Sequence, residues 1–314
     1  MSAIPPRADL KVGFACNNRC VFCAQGDKRV ACGAIPIEEL VERLRKVRGD
    51  PRKPMGLVLT GGEPTLYKRI LQLVEAARRL GYRPIQIQTN GRMLSYPNSV
   101  ERLLAAGATE FSPSIHGSTA EIHDGLTRAK DSWQESRDGI ANVCRAGLPV
   151  VTNSVITREN TTDLPALVKL LGELGVKNAQ LAFVHPVGTA LTMFDEVVPR
   201  LSDVVPYVRE AREVARRYGM RLMTEAIPLC FLRGMEDLCV EEIIPQTTVV
   251  DLEGQIVDYS EWREVEGKRH GEVCASCAVR EKCEGPWREY PDKFGWSEFV
   301  PLEAGIEARE EIVR

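Results

Sequence analysis

The chain has 314 residues, 44% of them hydrophobic and 27% charged, and a formal net charge of −3. That is the composition of an ordinary globular protein, long enough for one large α/β domain with an appendage or for two small domains. It gives no reason to expect nucleic acid, because no basic run with interleaved aromatics occurs, and no apolar run approaches a membrane span. The opening Met1-Ser-Ala-Ile-Pro-Pro-Arg-Ala-Asp9 lacks an apolar core of signal-peptide length. Ten cysteines would suit a secreted disulfide protein. Without a targeting signal, and in C-x-x-C-type spacings, they read instead as reduced metal ligands in the cytoplasm.

In chain order, the first predicted strand, Leu10–Ala15, runs straight into Cys16-Asn-Asn-Arg-Cys20-Val-Phe-Cys23. Thiolates four and then three residues apart in one tight loop can converge on a single soft metal centre. The next cysteine, Cys32, lies nine residues on, so a cubane held here keeps one iron open to a non-protein ligand. Zinc competes, but structural zinc wants four ligands and no histidine stands nearby. A set of merely structural cysteines is the third reading. Further strands are predicted at Gly56–Thr60, Pro84–Gln88, Thr109–Ile115, Pro149–Ile156 and Asn178–Val184. Helices are predicted near Ile37–Val47, Ile70–Leu80, Ser99–Ala106, Trp133–Ala146 and Leu164–Leu174. Gly81, Gly107, Gly147 and Gly175 follow the apolar periodicity, where a left-handed C-cap favours glycine. Strand–helix alternation at about thirty residues per unit implies a parallel sheet with right-handed crossovers. A helix near Val204–Tyr218 and a strand at Arg221–Glu225 finish this region.

In such barrels, ligand groups come from loops at the carboxyl ends of the strands. The second strand ends in Gly61-Gly62-Glu63-Pro64, the third in Gln88-Thr89-Asn90-Gly91 and the fourth in Ser112-Pro-Ser114-Ile-His116-Gly117. The fifth contains Asn153-Ser-Val-Ile, and the sixth runs into His185-Pro-Val-Gly188. Taken singly, a Gly-Gly or Asn-Gly pair is only a turn. Histidines 116 and 123 fall in a polar run with Asp124, and a lone histidine is more often a hydrogen-bonded structural residue than a catalyst. Cys144 reads as a small core residue and Cys32 as incidental. Beyond Glu225 the pattern changes: Cys230, Cys239, Cys274, Cys277 and Cys283 crowd together around a predicted hairpin, Thr247–Val250 with Gln255–Tyr259. Cys274-x-x-Cys277 followed by Cys283 has metal-ligand spacing, and a zinc knuckle is the plain structural alternative.

The cysteine loop, with Phe22 before its third cysteine, resembles the signature of the radical S-adenosylmethionine (radical SAM) superfamily. Gly61-Gly62-Glu63, at its distance after the loop, resembles that family's Gly-Gly-Glu element. The resemblance implies a (β/α)6 partial TIM-type barrel over residues 1–225. It implies a catalytic [4Fe–4S] cluster on Cys16, Cys20 and Cys23, and S-adenosylmethionine bound at its open iron. One electron from the cluster then cleaves the sulfonium to a 5′-deoxyadenosyl radical, with the protein supplying position and shielding. Carried over residue by residue, Gly61, Gly62 and Glu63 hold the cofactor's amino group and Thr89 and Asn90 lie beside it. Ser114 contacts the ribose, Asn153 lies near the cofactor carboxylate, and Phe22 flanks the adenine. Relatives often have Asp where His116 stands, which leaves the role of His116 open.

Residues 226–314, a small cysteine-rich extension with a β-hairpin, resemble the SPASM/twitch extensions of the same superfamily. These carry an auxiliary [4Fe–4S] cluster. Trp287 stands where a full SPASM domain has another cysteine, so one auxiliary cluster is expected. Its ligands are expected to be Cys230, Cys274, Cys277 and Cys283, with Cys239 a possible substitute for Cys230. An enzyme of this kind needs an electron donor such as flavodoxin or ferredoxin and acts on a small molecule or a peptide. Barely ten residues precede the first strand, so leader-peptide capture would need a separate protein, which favours a small molecule over a peptide-modifying maturase. A non-catalytic iron–sulfur or zinc sensor is the alternative of another class, and intact Gly61-Gly62-Glu63 beside an intact cysteine loop speaks against it.

Overall fold

The computed structural model describes residues 4–28, 35–251 and 254–303. Strand β1 (Arg7–Lys11) pairs in parallel with β2 (Gly56–Thr60), β2 with β3 (Ile85–Thr89), and β3 with β4 (Glu110–Pro113). Strands β5 (Val151–Ile156), β6 (Asn178–Phe183) and β7 (Arg221–Glu225) continue the parallel order. Bridges Phe111↔Val150 and Ser114↔Asn153 join the two sheets. The result is an open arc from β1 to β7, a partial TIM-type barrel. β1 begins three residues earlier than its apolar run suggests. Arg7, Asp9 and Lys11 hide a strand whose alternate residues, Ala8 and Leu10, are fully buried. Past Lys11 the chain still clings to the second strand, Val12 N–H donating to Thr60 O at 2.9 Å.

The crossovers are helical because their apolar residues recur every third or fourth position. Helices α1 (Ile37–Arg48), α2 (Ile70–Arg79) and α3 (Ser99–Ala106) set Leu40, Leu44, Leu73, Ala77 and Leu103 against β1–β4. Between β4 and β5 lie α4 (Ala120–Thr127) and α5 (Ser132–Arg145). α4 falls in the run read above only as polar. Thr119 caps it, accepting from Ile122 N–H, and its His123 and Leu126 are buried. α6 (Leu164–Glu173) and α7 (Leu201–Arg217) cover β5–β7. The four predicted C-cap glycines all have positive φ.

The extension is woven into the barrel. β8 (Thr247–Val250) pairs in parallel with β1, Arg7 opposite Thr247, and β9 (Gln255–Ile256) lies antiparallel on β8. The hairpin thus prolongs the sheet at the free edge of β1 and does not sit over the barrel's end. Its second strand stops short of Tyr259 because Asp258 accepts from Ser260 and Glu261 N–H and starts the one-turn helix α8 (Tyr259–Trp262). A last helix, α9 (Glu289–Phe294), brings Tyr290 onto the β5–β7 core together with Trp287 and Phe299. Cys144 packs at the edge of both cores, while Cys32 lies outside the described residues.

Candidate active site

The carboxyl ends of the strands surround a cleft of about 420 Å³. Cys16, Cys20, Phe22 and Cys23 line it from the loop after β1, Gly61 and Gly62 from β2, and Thr89 and Asn90 from β3. Ser114, after β4, and Asn153, of β5, line it as well. Ten of the eleven residues expected to touch cluster or cofactor therefore line one cleft. The exception is Glu63, which stands behind it, 3% exposed. Its carboxylate accepts from Thr65 N–H at 3.0 Å, Thr89 Oγ1 at 2.7 Å and Asn90 N–H at 2.6 Å, and from the Thr65 hydroxyl. Glu63 clasps the end of β3 to the end of β2.

Close backbone packing explains the paired glycines. A Cβ on Gly61 would sit 2.4 Å from Gly13 O, and one on Gly62 2.4 Å from Ala15 O. Gly62 and Glu63 N–H donate to those same two carbonyls, at 2.8 Å each. The segment entering the cysteine loop is thus laid directly on the β2 turn.

The three cysteines are half-buried, Cys16 Sγ accepting from Asn18 N–H at 3.4 Å, and their loop is fastened on three sides. Asn90 Nδ2 donates to Asn17 Oδ1 at 2.7 Å, and Arg92 Nη1 to Asn17 O at 2.7 Å and Asn18 Oδ1 at 3.0 Å. Arg92 is itself held by Glu135 of α5. Arg19 and Val21 N–H donate to Thr127 and Leu126 carbonyls at the end of α4. On the third side Thr189 N–H donates to Cys23 O at 2.9 Å. The arginine–asparagine part of this clasp has no sequence signature, since Arg92 only follows an Asn-Gly turn.

His116 packs edge-on against Phe22, ring centroids 4.7 Å apart, and stacks on His123 at 5.6 Å. Its Nδ1 accepts from Val155 N–H at 3.2 Å, which leaves the proton on Nε2. His123 Nδ1 accepts from His116 N–H at 2.9 Å. Burial, then the partner imidazole, holds His116 well below the usual histidine range, and burial, then Arg92, depresses His123 to about 3. Both rings are neutral near pH 7. Asn153 Oδ1 is buried without a donor. The residue lines the cleft, and that oxygen is an acceptor with no protein donor.

The cleft is also lined by His185, whose strand end is expected to face the adenine, and by three residues assigned no role here from the sequence: Glu225, Tyr259 and Trp287. Position at the end of β7 could have flagged Glu225. Tyr259 and Trp287 arrive from the extension, by contacts that no local pattern announces.

A second cavity lies in the extension, lined by Cys230, Cys274, Cys277 and Cys283 with Pro228, Pro286 and Phe299. Burial, then the three neighbouring thiols, pushes Cys230 up to about 12. Cys239 does not line this cavity. Its thiol donates to Glu241 Oε2 at 3.2 Å, and Glu241 belongs to a buried ion network with Lys268 at 3.0 Å. Among the described residues, no three His, Cys, Asp or Glu side chains converge closely enough for a single metal ion. A tetrahedral zinc set puts its sulfurs roughly 3.8 Å apart.

A family model described as the radical SAM superfamily matches residues 10–171. The probable GTP 3′,8-cyclase of Saccharolobus islandicus (strain M.14.25 / Kamchatka #1) is 30% identical over 198 residues, 61% of this chain and 61% of that protein. The AdoMet-dependent heme synthase of Methanosarcina barkeri is 30% identical over 185 residues, 59% of this chain and 52% of that protein. The chain thus spans 61% or less of these curated relatives. Among solved structures, native anSMEcpe with bound AdoMet superposes with a TM-score of 0.67 at 17% identity, over 95% of this chain and 93% of that one. Streptococcus suis SuiB bound to S-adenosylmethionine gives 0.64 at 16% identity, over 90% and 73%. The two superpositions establish the fold. No helix among the described residues is long and apolar enough to cross a membrane.

Proposed function

Because this chain belongs to the radical SAM superfamily, we propose that it is an enzyme whose catalytic [4Fe–4S] cluster is held by Cys16, Cys20 and Cys23, with S-adenosylmethionine in the cleft beside it. When bound, the cluster supplies one electron that cleaves the sulfonium, and the resulting 5′-deoxyadenosyl radical takes a hydrogen atom from the substrate. One observation carries the reading: Cys16, Cys20 and Cys23 line one cleft with Gly61, Gly62, Thr89, Asn90, Ser114 and Asn153. The donor set fits the groups. Three thiolates suit soft iron and leave one position open. The orphaned Asn153 Oδ1 suits a hydroxyl or ammonium donor of the cofactor. The residues themselves orient and shield. Asn90 and Arg92 fix the cysteine loop, Glu63 fixes Asn90, and Phe22 against neutral His116 closes the wall.

The extension, residues 226–314 beyond a barrel of residues 1–225, carries one auxiliary [4Fe–4S] cluster on Cys230, Cys274, Cys277 and Cys283, in the manner of SPASM/twitch enzymes. The four thiols round one cavity support this. The electron comes from a donor such as flavodoxin or ferredoxin, and iron–sulfur thiolates suit the reducing cytoplasm. The substrate is a small molecule in preference to a peptide.

Anaerobic reconstitution with dithionite and S-adenosylmethionine is the test. Wild type should release 5′-deoxyadenosine, and the triple Cys16→Ala, Cys20→Ala, Cys23→Ala variant should release none while keeping iron at the extension. Absence of 5′-deoxyadenosine from iron-replete wild type would leave a non-catalytic iron–sulfur protein.

A further inference from the structure

The cleft is notable for its charge. Among the described residues that line it stands one carboxylate, Glu225, and neither lysine nor arginine. Three cations near it, Lys268, Arg263 and Arg92, are already paired. Lys268 bonds Glu241 at 3.0 Å and Glu284 at 2.7 Å, Arg263 bonds Glu284 at 2.6 Å, and Arg92 is taken by Glu135 and the cysteine loop. Among its described lining residues, a polyphosphate would meet a carboxylate and no counter-charge, which opposes its binding.

Glu225 ends β7, at the far end of the arc from Gly61, Gly62, Thr89 and Asn90. Gln180 of β6 donates to its Oε2. Beside it, Trp287 is stacked on His185 with centroids 3.7 Å apart, and Tyr259 on Trp262 at 5.4 Å. These stacks are apolar walls that hold water away from the carboxylate and so strengthen its attraction for a cation. Burial, then repulsion from Glu241, raises the Glu225 carboxyl above its ordinary range, the state an incoming cation would relieve.

We infer that Glu225, walled by Tyr259 and the Trp287–His185 stack, is a recognition subsite for an ammonium or guanidinium group of the substrate, and that phosphorylated nucleosides are not substrates. The inference rests on the reading of this cleft as the S-adenosylmethionine site and gives that site its substrate class. It separates this chain from the GTP chemistry in the name of its cyclase relative.

The test is calorimetry on full-length, cluster-replete protein with S-adenosylmethionine present. The probes are n-pentylamine, the tripeptide N-acetyl-Ala-Lys-Ala-amide, its norleucine counterpart, and GTP. At least one amine probe should bind tenfold or more tightly than the norleucine peptide, with GTP silent. Binding of the free amine alone marks a small molecule as the source of the cation, and binding of the lysine peptide alone a polypeptide. Either supports the subsite. Glu225→Gln, which keeps a partner for Gln180, should weaken that probe at least tenfold. The inference is overturned if GTP binds and the amines do not, or if Glu225→Gln leaves amine binding unchanged. It is also overturned if Glu225→Gln weakens S-adenosylmethionine instead, which would make Glu225 a cofactor residue. Should that variant fail to fold, the wild-type probe series still decides. Release of 5′-deoxyadenosine by the same preparation separates failure of this inference from failure of the enzyme reading.

Discussion

Glu63, expected to hold the cofactor's amino group, has a second set of partners within the protein. Its carboxylate is engaged by Thr65, Thr89 and Asn90 and is sealed from the cleft. Through Asn90 it is linked on to Asn17 of the cysteine loop. Glu63→Gln replaces one acceptor oxygen by a donor facing a backbone N–H, a loss of about 1–3 kcal/mol. Thermal unfolding should register that loss, with S-adenosylmethionine affinity falling as Asn90 shifts. Unchanged stability with weakened cofactor would mean direct contact after all. The histidine pair makes a second prediction at this scale. The folded pKa of His123 is depressed to about 3 from an ordinary 6.5, chiefly by burial. The unfolded chain takes the proton first, so this contribution is fully present above pH 6.5 and is lost as pH falls below it. Between pH 6.5 and 5.5, wild type should lose about 1 kcal/mol relative to His123→Gln in denaturant titrations. A pH-independent difference would show that the ring titrates normally. The strand-end groups were legible because chemistry and turn residues coincide there. The partners that make them rigid, Arg92, Glu135 and His123, carry no local signal and are joined only by the fold.

Elements were legible wherever burial imposes a period. Interior strands such as β2 and crossover helices such as α3 fall where their apolar spacing puts them. β1 was misplaced because alternate polar residues on an inward-curving strand break the apolar run, with Arg7 reaching Thr247 on a strand 240 residues away. The same distance hid the extension's docking. Spacing alone left Cys230 and Cys239 as rivals for one ligand position, and the elements around them separate the two. Cys230 sits in a 3₁₀ turn (Leu229–Phe231) facing the other three thiols. Cys239 bridges back to Thr224 of β7 and points its thiol to Glu241. Iron analysis of reconstituted protein should give about eight irons per chain for wild type and for Cys239→Ala, and about half for Cys277→Ala. Loss of iron from Cys239→Ala but not from Cys230→Ala would exchange their roles. Zinc in place of iron would leave the extension a structural cap.

At the scale of the whole molecule, the division at residue 225 marks a change of composition more than a break in packing. One core runs through the division: Trp287, Tyr290 and Phe299 are 5% exposed or less and cluster with β5–β7 and α7. Tyr290 Oη accepts from Leu201 N–H at 2.8 Å, tying the extension to the start of α7. At the other edge β8 satisfies the backbone of β1, which a truncated barrel would leave as an open strand. Without the extension, the barrel face that these three aromatics cover is exposed to water. A chain ending at residue 225 should therefore be aggregated or unfolded, with no cooperative thermal transition and no S-adenosylmethionine binding, even though every ligand of its first cluster is present. A soluble, cooperatively melting 1–225 fragment that binds S-adenosylmethionine would show that the barrel is an autonomous domain. Tyr259 and Trp287 would then be additions to a complete site, and not part of what holds it open.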